Sequence, residues 1–242
     1  GLQLTFEVDE VATLLPIANF GGIRDNLWFM FGVTDINWQG RGQYLSAYYL
    51  NNDRRHTGQV NYVIPFFKGN KWGLTTSFFR WASIEPLFFD EGTVNYDYDN
   101  TSLAATVIRH FGINRQLEAG GSYFVEKYKK SSDQFLENPP GPNELRQPKW
   151  LTKVEYRENF LNYHFFYLEG LSWYLRWQNV YNTLDEDWFN MLQFQGRQFT
   201  RLGEKANIAG RLRLAISTNN ATPFAPFVAD SRVNIRGIGN RI

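Results

Sequence analysis

Apolar and polar residues alternate with a period of two along most of this chain, and no other feature limits its fold so severely. In an extended strand successive side chains point to opposite faces, so such a run makes a ribbon with one oily and one wet side. Leu2, Leu4, Phe6 and Val8 alternate with Gln3, Thr5, Glu7 and Asp9, and Leu117, Ala119, Tyr123 and Val125 alternate with Glu118, Gly120, Ser122 and Glu126. Trp150, Val154 and Tyr156 oppose Lys153, Glu155 and Arg157. Leu171, Trp173, Leu175 and Trp177 oppose Ser172, Tyr174, Arg176 and Gln178, while Ile208, Leu212, Leu214 and Ile216 oppose Asn207, Arg211, Arg213 and Ser217. The pattern predicts an all-β, antiparallel protein.

Applied throughout, the rule predicts eleven strands, near residues 2–10, 26–36, 43–51, 57–64, 71–82, 100–110, 116–129, 149–157, 162–181, 188–201 and 206–218. Several exceed the five or six residues typical of soluble strands and are long enough for a tilted membrane crossing. Short connections fall at Asn37–Gly42, Pro65–Asn70, Phe111–Arg115, Glu158–Leu161 and Leu202–Lys205. Long ones are expected at Val11–Asp25, Ser83–Asp99, Lys130–Pro148 and after Asn219, with Asn52–His56 and Asn182–Asp187 shorter. Alternation of tight turns with longer loops is the pattern of outer-membrane barrels.

A soluble sandwich or lipocalin-like barrel also alternates. Composition separates the two. The chain holds 21 Phe, 8 Trp and 13 Tyr, and these cluster near strand ends, as at Trp28, Phe66-Phe67, Trp72, Trp81, Trp150, Trp177 with Tyr181, and Trp188, where an interfacial girdle belongs. The longest apolar run, Leu27 to Val33, is far too short for a spanning helix. With 25 basic against 24 acidic residues, the chain lacks the charge that draws proteins to nucleic acid. With no cysteine it has no disulfide or thiolate site. No composition shift divides it, so a single partial β-barrel domain over residues 1–242 is expected, with 219–242 as a long outer loop. Eleven is an odd count, and a closed single-chain bacterial barrel is even. Either more strands follow Ile242, or another chain supplies them, or the count is wrong by one.

Three short motifs carry a resemblance. Ile235-Arg236-Gly237-Ile238 sits in the loop after the last expected strand, Asp35-Ile36-Asn37-Trp38-Gln39-Gly40-Arg41-Gly42 forms an early turn, and Tyr62-Val63-Ile64-Pro65-Phe66-Phe67 forms the next turn on that side. They resemble, in order, the V-R-G-F/Y signature, the D-N-x-x-G-x-G turn and the N-P-Y-F turn of the outer-membrane-protein-85 superfamily of BamA-, TamA- and FhaC-like barrels. Ile238 stands where the family has an aromatic, and Ile64 where it has Asn. The resemblance implies a sixteen-stranded barrel in the bacterial outer membrane, of which this chain carries strands one to eleven and the start of loop six, without the periplasmic POTRA domains. It also implies that Arg236 latches that loop inside the lumen, with Asn234, Gly237 and Asn240 permitting the tight backbone path.

The implied function is insertion of outer-membrane proteins or translocation of polypeptide, without catalysis. Leu2, Leu4, Phe6 and Val8 would form one side of a lateral gate. Partners would be outer-membrane lipid, the barrel strands missing from this chain or another chain that closes the barrel, and client outer-membrane or secreted proteins. The rival reading is a passive pore or a structural or anchoring barrel. No cofactor, metal or nucleic acid is expected. His56, His110 and His164 lie far apart with no metal-ligand spacing. Asp185-Glu186-Asp187 and the group Asp90, Glu91, Asp97 and Asp99 read as solvated acidic residues of outer loops.

Overall fold

The computed structural model describes residues 12–23, 26–52, 55–67, 69, 71–132, 136–203 and 206–219. Among these, eleven strands form one sheet: β1 (Leu14–Ile23), β2 (Asn26–Trp38), β3 (Gln43–Asn52), β4 (Arg55–Phe67), β5 (Trp72–Phe89), β6 (Gly92–His110), β7 (Arg115–Lys130), β8 (Glu144–Tyr163), β9 (Leu168–Asn182), β10 (Asp187–Leu202) and β11 (Ala206–Ser217). Their order in space is their order in the chain, and every pairing is antiparallel. Short turns dictate this arrangement, because a hairpin returns the chain beside the strand it has just left. The sheet is unclosed. β1 and β11 are both odd-numbered in an antiparallel series, so they run in the same direction.

Register defines the faces. Ile64, Leu74, Val107, Ala119, Val154, Trp177, Leu192 and Ile216 form one unbroken cross-strand row from β4 to β11. One residue along, Glu118, Glu155, Arg176 and Gln193 form the neighbouring row, on the opposite face. Burial is inverted relative to a soluble sheet: Trp177 is 40% exposed while Glu155 is 0% exposed.

At the ends of β5, β6 and β7 the order reverses. Leu87, Val94, Tyr96 and Tyr128 form a small buried core on the same face that carries Glu118 and Glu155 lower down. Residues 136–143 close over it, with Leu136 and Leu145 packed against it. Tyr96 Oη donates to the Pro142 carbonyl (2.9 Å), Lys130 Nζ to the Pro139 carbonyl (2.6 Å), and the Ser131 amide to the Asn95 carbonyl (2.9 Å). These contacts satisfy loop backbone that would otherwise be costly to bury.

The expected loop at 130–148 ends early, since Glu144–Pro148 already pairs with β7, and three further expected segments differ. Residues 11–25, expected as a loop, contain β1; the segment Leu14-Leu15-Pro16-Ile17-Ala18-Asn19-Phe20-Gly21-Gly22-Ile23 has almost no alternation, and its proline and glycines imitate a loop. Proline is tolerated there because β1 is an edge of the described sheet. The expected loop at 83–99 is a continuation of the β5–β6 hairpin, paired as far as Phe89 and Gly92. The turn expected at 158–161 lies at 164–167, since β8 and β9 pair to Tyr163 and Leu168. Asn159 and Asn162 suggest a turn in sequence, but here both lie within paired strand. The expected strand at 2–10 lies outside the described residues.

Candidate functional site

The turn after β2 is built by its own side chains. Asp35 Oδ1 accepts from the Asn37 amide (2.9 Å), and Asn37 Oδ1 accepts from the Gly42 amide (2.6 Å). The Gly40 amide bonds the Asn37 carbonyl (2.8 Å). Three residues take positive φ, Gln39 (58°), Gly40 (68°) and Gly42 (63°), which explains the glycines. All of Asp35, Asn37, Gly40 and Gly42 therefore serve turn geometry.

Pro65 and Phe66 lie at a register shift between Ile64 and Phe67. A bulge is where a sheet accepts a residue without an amide hydrogen. His110, at the end of β6, donates from Nε2 to the Pro65 carbonyl (3.2 Å), and its ring lies 4.9 Å from that of Phe66. Gly73 makes room: a Cβ there would meet the Pro65 carbonyl at 2.8 Å. His110 is thus a strut joining two successive turns, a role its isolation in sequence did not disclose.

The polar face carries a ladder of charge. Glu155 on β8 is held by Arg176 across the strand pair (2.5 Å) and by Arg157 two residues along. Directly opposite Glu155 stands Glu118, which takes Lys153 (2.9 Å) and Gln116 (2.8 Å) instead. Two facing carboxylates coexist because each has its own cationic partner. Further up, Glu126 takes Lys149 (2.6 Å) and Tyr98 (3.0 Å). On β10 and β11, Arg211 and Arg213 both donate to Gln195 Oε1 (3.0 and 2.8 Å). Alternation in the sequence places these groups on one face; only register shows which charges meet.

The acidic groups singled out in the sequence are mostly paired or capping. Asp99 takes Arg80 (2.7 Å), Asp97 takes Arg55 (3.5 Å), and Asp185 accepts from Asn182 in the β9–β10 turn. No three His, Asp or Glu side chains converge as a metal site among the described residues. The expected gate residues Leu2, Leu4, Phe6 and Val8, and the motif Ile235, Arg236, Gly237 and Ile238, lie outside the described residues. The described sheet instead ends on β1, where Phe20 is 85% exposed.

An antiparallel wall with one apolar face, one charged face and two unclosed edges is the wall of a β-barrel. The Omp85 superfamily domain matches residues 37–239, well over half of the chain. The chain belongs to the Omp85 superfamily. Among solved structures it is similar to BamA from Haemophilus ducreyi lacking POTRA domains 1–3, with a TM-score of 0.63 and 16% identity over 86% of this chain. The match spans 42% of that chain, less than half its length. Comparison with curated protein sequences gave no match.

Proposed function

We propose that this chain is part of the wall of an outer-membrane barrel that inserts or translocates polypeptide by strand pairing, with no covalent step. The observation that carries the reading is the pair of like-directed edges. Among the described strands β1 and β11 cannot join as antiparallel neighbours, so antiparallel closure needs at least one further strand between them. An unpaired edge in hydrocarbon leaves backbone groups unsatisfied, which makes it a template for an incoming strand. The rest of the barrel, Arg236 as the latch of loop six, and residues 2–8 as part of the gate all belong to this proposal. Residues 1–242 act in it as one partial barrel domain, with 219–242 as its outer loop.

The membrane reading rests on the apolar face. On β7 the outward side chains run Leu117, Ala119, Gly121, Tyr123 and Val125, bracketed by Arg115 and Lys127. At ~3.4 Å per residue the brackets stand about 40 Å apart along the strand. Tilted by roughly 45°, that is about 28 Å of height, enough to clear an apolar band of about 25 Å.

The test is site-directed crosslinking in the complete protein, with photoreactive residues at Asn19 and Phe20 on β1 and at Leu4 and Phe6 in the proposed gate segment. Capture of a nascent barrel strand is expected. Steady ion conductance with no capture at any of these sites would establish the passive pore instead.

A further inference from the structure

The apolar face is not uniform. Across β1 to β5 two adjacent outward rows read Pro16, Val33, Ala47, Val60, Phe78 and Ala18, Phe31, Tyr49, Gly58, Arg80. Small residues at Ala47 and Gly58 lie between the larger Phe31, Tyr49, Val60 and Phe78, and they leave an apolar groove of about 660 Å³. Phe31 and Phe78 stand 54% and 46% exposed along it.

The floor is small without structural need. A Cβ at Gly58 would meet nothing closer than the Tyr48 carbonyl at 3.6 Å, an ordinary contact, and Gly58 has no positive φ. A larger residue would fit the backbone and fill the groove. One row beyond the groove's lining, where Asn51 pairs with His56, the face turns polar. Tyr49 Oη and Asn51 Nδ2 both converge on His56 Nδ1, at 2.5 and 3.1 Å. With Asn51 Nδ2 and Tyr49 Oη as the donors, Nδ1 accepts, and the neutral ring then carries its proton on Nε2, an N–H donor one row above the groove.

We propose that this groove seats one acyl chain of an outer-leaflet membrane lipid, with an oxygen of the lipid head group accepting from His56 Nε2–H. The site rests on the reading of this face as lipid-facing. The groove is continuous with that face, and hydrocarbon is the only medium there that gains by filling an apolar slot. Its shape makes the contact local.

The test uses the complete protein reconstituted in nanodiscs of phosphatidylethanolamine and phosphatidylglycerol, released into detergent, and weighed by native mass spectrometry. One retained lipid per protein is expected. Gly58→Phe should lower that occupancy at least tenfold, while Gly210→Phe should not change it; Gly210 lies on the same face of β11 with open space around it. His56→Ala should weaken retention without abolishing it. Heat-modifiable migration of each variant reports that the barrel has folded. Equal occupancy in wild type and Gly58→Phe, or no retained lipid in wild type, would overturn the groove. Failure of the folded wild type to enter nanodiscs at all would instead overturn the membrane reading on which it stands.

Discussion

The middle and the outer end of β6, β7 and β8 follow opposite rules although their side chains alternate without a break. In the middle, Leu103, Tyr123 and Trp150 point outward while Ser122 and Glu155 point inward. At the outer end Asp99, Lys127 and Arg146 share the outward face, and Val94, Tyr96 and Tyr128 are buried inward. Strand geometry has not changed; on the membrane reading proposed above, the solvent has. An apolar side chain faces hydrocarbon where there is hydrocarbon, and where water replaces it the oily residues retreat to the other face and need a lid, here residues 136–143. The change falls between the row Thr101–Val125–Pro148 and the row Asp99–Lys127–Arg146, which is where the proposed apolar band would end on its outer side.

The strongest way to break this comparison is to empty the outer core. Tyr96 is fully buried, and Tyr96→Ala removes its ring and its bond to the Pro142 carbonyl. A loss of about 3–5 kcal/mol is expected. Because the middle of the wall has no share in that core, the loss should be local. Limited proteolysis should cut within 131–143 while heat-modifiable migration of the barrel stays intact. Simultaneous loss of both would show that the two regions are one cooperative unit.

Next comes the outward face of the same strand. Leu103→Arg puts a charge where the apolar band is proposed and should cost about 2–4 kcal/mol. Arg211→Leu, an inward change that leaves Gln195 with Arg213 as donor, should be far milder. Equal costs, measured by reversible unfolding in lipid, would remove the distinction between the faces.

The inward face of the wall is probed by Glu155→Gln. Shape is kept, but Arg157 and Arg176 lose the carboxylate they share. About 2 kcal/mol is expected, the scale of a charge-assisted hydrogen bond, and the change should be insensitive to residues of the outer core.

Much of the wall was legible in the sequence because period two maps directly onto two faces. Leu117, Leu175 and Leu212 were assignable to one side, and Glu118, Glu155, Arg176 and Arg213 to the other, from alternation alone. What failed was β1, whose residues are apolar on both sides, and the outer hairpin, whose reversed polarity reads as a loop to a rule that expects apolar residues outside. Pairing was also hidden. That Glu155 draws two arginines while Glu118 opposite draws a lysine depends on register, and the strut from His110 to Pro65 spans 45 residues of sequence. The turn at 35–42 was readable because its asparagine and glycines have local work to do.

The smallest effect is expected exactly where the two regions meet, and it locates the boundary. Arg80 and Asp99 form an outward pair on adjacent strands, with side chains 49% and 26% exposed. Asp99 lies in the outer row with Lys127, and Arg80 reaches it from one row deeper, level with Thr101 and Val125. If the Asp99 row is in water, Asp99→Asn should cost only about 0.5 kcal/mol, as exposed pairs do, and the cost should shrink further with salt. One row deeper the medium changes. Cysteine at Val125 should then react with a lipid-phase reagent, and cysteine at Lys127 with an impermeant aqueous one added to intact cells. Cysteines at Asn138 and Asp187 should label from outside like Lys127, whereas Gly40, in the turn at the opposite end of the strands, should be protected. Two residues along a strand are about 7 Å, so the pair Val125 and Lys127 sets the resolution of the test. Aqueous labelling at Val125 as strong as at Lys127 would place the boundary deeper in the sheet, and the reversal of polarity along β6 to β8 would need another cause.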